Sequence, residues 1–176
     1  MIYQTINRHI AKSILVCIIF FSNNLNASGS YFNISLSTSN DRLLVNTDTD
    51  YNIYGYQFQI TNISLSDCID SSGSGFYIDA SENGTVLGVS LSGANIPSGQ
   101  NTILSCLIMN NQATDSEGAC LLPNSVIIVN GESVGGYAPQ VPESEVVIGD
   151  CLYLDCDSEL NGSDLTCLDC AGTPNG

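Results

Sequence analysis

Between residues 31 and 148 the chain is built of short apolar runs separated by Gly, Asn, Ser and Asp, and no apolar period of 3.6 is sustained anywhere. Tyr31-Phe32-Asn33-Ile34-Ser35-Leu36-Ser37 alternates with period two, the signature of a half-buried strand. Arg42 to Asn46 reads as a short strand. Tyr54, Tyr56, Phe58 and Ile60 share one face of another, opposite Gly55, Gln57 and Gln59. Phe76-Tyr77-Ile78 is a further run, and Thr85 to Leu91 puts Leu87, Val89 and Leu91 on one side. Thr102 to Met109 and Ser125 to Val129 are more continuous, as strands covered on both faces are, and Val146-Val147-Ile148 is the last strand expected. Turn signals recur about every 8–12 residues. The pattern predicts an all-β fold: a two-sheet β-sandwich whose inward side chains are Tyr, Phe, Ile, Leu and Val, with no helix longer than two turns.

The ends of the chain differ from this middle. Met1 to Lys12 carries positive charge, Ser13 to Phe21 is uncharged and apolar, and Ala27-Ser28-Gly29 offers a small-x-small cleavage site. That order is the layout of a secretory signal, and the apolar run is shorter than the roughly 20 residues a membrane span needs. The expected organisation is a signal peptide over 1–29, a β-sandwich domain over 30–149 and a tail rich in Cys and Asp over 150–176. A secreted or cell-surface location follows, with no transmembrane span once the signal is removed.

Charge narrows the chemistry. The chain has 18 acidic and 3 basic residues, and Arg8, Lys12 and the only histidine, His9, all fall in the leading segment. After its removal one cation, Arg42, faces all 18 carboxylates, a net charge of −17. Phosphate contacts need a basic surface, so nucleic acid is excluded as a partner. Ser-His-Asp and Cys-His catalysis lack their base, and a histidine-ligated metal site lacks its ligand. A non-catalytic protein is expected, with no catalytic or cofactor-binding residues.

A more specific signal lies in the middle. Gly55-Tyr56-Gln57-Phe58-Gln59-Ile60 has the form G-x-Q-F-x-I. After Gly75-Phe76-Tyr77-Ile78, the stretch Val86-Leu87-Gly88-Val89-Ser90-Leu91-Ser92-Gly93-Ala94-Asn95-Ile96-Pro97-Ser98-Gly99 has the form V-L-G-x-S-x-S-G-x-x-I-P-x-G and leads into the apolar run Leu104 to Met109. In order and spacing, from about Tyr31 to Ile148, this resembles a cohesin domain. Pro97 removes a backbone donor and ends strand pairing, while Gly99 permits a positive φ before the next strand. The resemblance implies a nine-stranded sandwich of jelly-roll topology, related to carbohydrate-binding modules, with a sheet surface that binds a dockerin-like module and no catalytic residues. The expected partner is another secreted protein module. The alternative is an extracellular polysaccharide, with the chain acting as a carbohydrate-binding module. Tyr54 and Tyr56 would be the candidates for a sugar-stacking platform, but their shared face with Phe58 and Ile60 favours the core.

In an oxidising compartment the seven cysteines after the signal, Cys68, Cys106, Cys120, Cys151, Cys156, Cys167 and Cys170, are disulfide candidates. Seven is odd, so one is free, pairs between chains or finds its partner beyond this sequence. A Cys106–Cys120 bridge would close a loop of about 15 residues, worth roughly 3 kcal/mol by chain entropy; a buried free Cys106 is the competing reading. In the tail, Asp157, Glu159 and Asn161 stand at positions 1, 3 and 5 of an EF-hand-like loop with Gly162 at position 6. Such spacing makes calcium the one metal to consider. Position 12 is Leu168 instead of a bidentate carboxylate, which favours a solvated, disulfide-stapled loop. Asp169 to Gly176 resembles the D-C-x-G-x-x-N-G units of cysteine-rich repeats in large secreted proteins. N-glycosylation sequons begin at Asn33, Asn62, Asn83 and Asn161.

Overall fold

The structure is a computed structural model that describes residues 29–114, 117–132, 137–154 and 160. Nine strands follow one another: β1 (Phe32–Ser39), β2 (Arg42–Thr49), β3 (Gly55–Gln59), β4 (Ile63–Asp70), β5 (Tyr77–Ala80), β6 (Thr85–Val89), β7 (Gly99–Asn111), β8 (Ile127–Val129) and β9 (Val146–Ile148). Single 3-10 turns at Pro123–Ser125 and Glu143–Glu145 are the helical elements among the described residues. The strands form a five-stranded sheet, β4-β7-β2-β1-β9, and a four-stranded sheet, β5-β6-β3-β8. Pairing is antiparallel except between β1 and β9. From β2 onward the chain changes sheet at every connection but β5–β6, wrapping the two layers as a jelly roll.

The expected β-sandwich is therefore present. Phe32, Ile34, Leu43, Val45, Ile103, Leu104 and Cys106 from the five-stranded sheet meet Tyr56, Phe58, Val86 and Ile128 from the other, all buried. Tyr56 ties the layers together. Its ring stacks on Phe58 and Phe76 at centroid distances of 5.6 and 5.8 Å. Its hydroxyl crosses the layer and donates to the Ile103 carbonyl at 3.3 Å. Ile103 is the residue that a register shift in the β2–β7 ladder leaves without a partner on β2, and its carbonyl also accepts from the Ser71 N–H at 3.4 Å. Burial, and then the charge of Asp70, push the Tyr56 hydroxyl far above its ordinary pKa. Tyr56 is thus a core residue, as its pattern indicated.

Two glycines are fixed by this packing. A Cβ on Gly88 would lie 2.2 Å from Cζ of Tyr56, and one on Gly84, where φ is +80°, would lie 2.0 Å from the Ile60 carbonyl oxygen. Gly88 must face inward to make room for the Tyr56 ring. Leu87, Val89 and Leu91 do share a side, but it is the outer one, and Val86 and Gly88 fill the core. The outer parity, Leu87, Val89 and Leu91, is more apolar than the inner one, Val86, Gly88 and Ser90, so hydropathy did not set the register; the Tyr56 ring leaves no room for a Cβ at position 88.

β4 was not expected as a strand. Ser64, Ser66 and Asp67 make it polar, and its ladder with β7 breaks at two irregularities, one spanning Ser66 to Ile69. The resemblance segment behaves as its residues require. Ile96 exchanges backbone hydrogen bonds with Ile53, pairing stops at Pro97, and Gly99 has φ +108°. Packing also continues past Gly149. Leu152 is buried in the core and exchanges hydrogen bonds with Ala119, so the sandwich holds the chain beyond the point where its composition changes.

Candidate functional site

With the inner faces spent on the core, the outer faces of the two sheets remain. On the four-stranded sheet, the register lines Tyr77, Val89, Gly55 and Val129 up in one row and Asp79, Leu87, Gln57 and Ile127 in the next. Tyr77 is 57% exposed, Leu87 and Ile127 38% each, and Leu91, just past the end of β6, 82%. Gly55 contributes no side chain and is buried, with the Val129 side chain 3.7 Å from where its Cβ would stand. Asp79 is the one charged side chain in these two rows.

The five-stranded sheet presents the opposite chemistry. Asn33, Ser35 and Ser37 of β1, Asn46 and Asp48 of β2, and Gln100 and Thr102 of β7 stand on its outer side. They bond across the strands. Asn46 donates to Ser37 Oγ at 2.8 Å and accepts from Thr102 Oγ1 at 2.8 Å. Asp48 accepts from the Tyr31 hydroxyl at 3.1 Å and from Gln100 Nε2 at 3.3 Å. The hydrogen bond to Asp48 is the main reason the Tyr31 hydroxyl titrates above its ordinary value. Near the same end of the sandwich the Tyr51 hydroxyl is raised in the same way, by its bond to Glu145.

Arg42, the lone cation after the leading segment, bonds to oxygens of Ser105 and to the Asp67 carbonyl rather than waiting for a ligand. Asp67 sits at φ 43° inside the β4 irregularity, so the guanidinium braces an unusual piece of backbone. Asp70 organises the β4–β5 loop. Desolvation works against its charge, but bonds from Ser72 Oγ and from the N–H groups of Phe76, Ser72 and Gly75 outweigh it and hold its pKa below the ordinary value.

The structure joins Cys68 to Cys106 and Cys120 to Cys151. This corrects both readings of Cys106, which is neither free nor bridged to Cys120. β4 is the reason: once it pairs with β7, its irregularity brings the Cys68 Cα within 4.0 Å of that of Cys106. Cys120 is left to take Cys151 beside the Ala119–Leu152 bridge. Cys156, Cys167 and Cys170 lie outside the described residues, as do the leading segment and the calcium candidates Asp157, Glu159 and Asn161. Among the described residues no group of three His, Cys, Asp or Glu side chains is placed to hold a metal, and no helix is long and apolar enough to cross a membrane. Of the described sequons, Asn83 is exposed in the β5–β6 turn, Asn33 lies on the polar face, and the Asn62 amide donates to the Gly118 carbonyl.

The rows of Leu87 and Ile127 were missed as a site because their residue types were assigned to the core. The signal that could have revealed them is Gly88 between Leu87 and Val89, a position too small to be a core residue unless something large lies over it. No protein-family model matches the chain, and a search of curated proteins finds no relative.

Proposed function

We propose that the protein is a secreted, non-catalytic binding module, and that it holds another secreted protein through the outer face of its four-stranded sheet. The observation that carries this reading is the group of exposed apolar side chains there, Tyr77, Leu87 and Ile127, set beside the half-buried Val89 and Val129 and followed by exposed Leu91. Contiguous exposed apolar surface marks interaction sites, and interface centres are rich in aromatic residues and poor in charge. The cohesin-like sequence segment supports a dockerin-like partner or assembly into a surface structure. The signal-like leading segment and the two disulfides support secretion. The scarcity of basic groups after residue 29 supports a role without catalysis.

The test is capture of secreted proteins on the immobilised domain, with and without a calcium chelator. Wild type should retain a protein partner that Leu87→Asp loses and that Ser37→Asp, on the other sheet, keeps. Capture unchanged by Leu87→Asp and Ile127→Asp would reject this face as the site.

A further inference from the structure

We infer that the outer face of the five-stranded sheet carries a second, independent site, for an uncharged oligosaccharide. Between β1, β2 and β7 the face sinks into an open depression of about 390 Å³. That lies within the range of about 300–1,000 Å³ typical of ligand sites. Its walls include Asn33, Ser35, Asn46, Asp48, Gln100 and Thr102. The register shift that skips Ile103 puts Asn46 opposite Thr102 and sets these rows. At the end of β9, Gly149 leaves Ser35 uncovered: a Cβ there would lie 2.8 Å from that of Ser35.

Each residue lining the depression carries a hydroxyl, an amide or a carboxylate, set among the apolar carbons of the same side chains. β2 is bonded on both sides here, by β1 and by β7, so across the middle of the depression side chains are what is on offer. Those side chains fall into two sets. Asn46, Thr102, Asp48 and Gln100 are held in place by the cross-strand bonds already described, which makes them a preformed wall. Asn33 and Ser35 make no side-chain hydrogen bond among the described residues and are open to a ligand. An amide offers a donor and an acceptor side by side, a serine both in one atom, and an ionised Asp48 accepts only. A sugar ring presents the complement, adjacent hydroxyls that each donate and accept. Charge selects among sugars. Asp48 is the only charged group in the wall, and a chain whose net charge after residue 29 is −17 repels acidic polymers.

This site is on the sheet opposite the proposed protein-binding face, so the two can fail separately. The test is titration calorimetry of the mature chain with cellohexaose, xylohexaose and mannohexaose, and with oligogalacturonate as the acidic counter-probe. At least one neutral hexaose should bind. Asn33→Ala and Gln100→Ala should each weaken it about tenfold, the value of one hydrogen bond of roughly 1.4 kcal/mol, while Leu87→Asp leaves it unchanged. Asn33→Ala decides alone if Gln100→Ala fails to fold, since the Asn33 side chain supports nothing else. No binding of any neutral hexaose at millimolar sugar, affinities unchanged in Asn33→Ala, or equal binding of oligogalacturonate would each overturn the inference.

Discussion

The outer face of the four-stranded sheet is mostly apolar around Leu87 and Ile127; across β1, β2 and the start of β7 the other sheet presents amides and hydroxyls that bond to one another, while its exposed apolar side chains, Ile69, Met109 and Val147, lie on β4, the far end of β7 and β9. Both sheets spend their inner positions on the same apolar core, so the difference is not forced by folding. On the polar face, Ser37, Asn46 and Thr102 satisfy one another and add to the stability of the layer. On the apolar face, Leu87 and Ile127 gain little from the folded monomer while remaining partly in water. This apolar surface is the basis of the proposed protein-binding face. The lesson is that composition alone, read over the whole chain, averages two surfaces of opposite character.

The sheets also differ in how they are held, and breaking each device in turn should show it. The five-stranded sheet is stapled across β4 and β7. Cys68→Ser with Cys106→Ser removes a bridge spanning 38 residues, and chain entropy puts the loss at about 4 kcal/mol, read from denaturant unfolding. The four-stranded sheet has no bridge between its strands and relies on fit. Gly88→Ala drives a methyl group into the Tyr56 ring and should cost about 3 kcal/mol in the same measurement. A smaller effect comes from the loop that connects the sheets. Asp70→Ala removes four hydrogen bonds from a partly exposed carboxylate, a loss of about 2 kcal/mol.

Asp70 also sets a pH dependence. Its folded pKa is depressed, so its contribution is complete above the unfolded value of about 3.9 and is lost as pH falls through the folded value. Stability of the wild type should therefore drop below about pH 4, and the drop should be shallower in Asp70→Ala. The smallest change in stability belongs to the outer faces. Leu87→Asp and Ser37→Asp should each move the unfolding free energy by no more than about 0.5 kcal/mol, yet only the first should abolish capture of a protein partner. A large loss of stability in Leu87→Asp would show that its row is structural and would weaken the contrast between the faces.

Much of the fold was legible because alternation of period two is a strong signal where one face is buried. Tyr31 to Ser37 and Tyr54 to Ile60 are clear cases, and their inward residues are Phe32, Ile34, Tyr56 and Phe58. β4 was not legible, because its serines and Asp67 carry no such signal and its place comes from pairing with β7. The apolar face was illegible for the opposite reason: in Thr85 to Leu91 the more apolar side, Leu87, Val89 and Leu91, is the one that faces out. The polar face was legible as residue types and not as a site, since its members come from three strands that only the sheet brings together.

The sequence by itself determined that this chain folds as layered strands, that its turns fall at the Gly, Asn and Pro positions, and that histidine- and lysine-dependent chemistry is closed to it after residue 29. These are properties of local pattern and composition. Only the tertiary structure decided which cysteines join, which side of β6 faces water and where amides from β1, β2 and β7 converge. Each of those depends on which distant strands become neighbours, and that follows from how large groups such as the Tyr56 ring fill the space between the sheets.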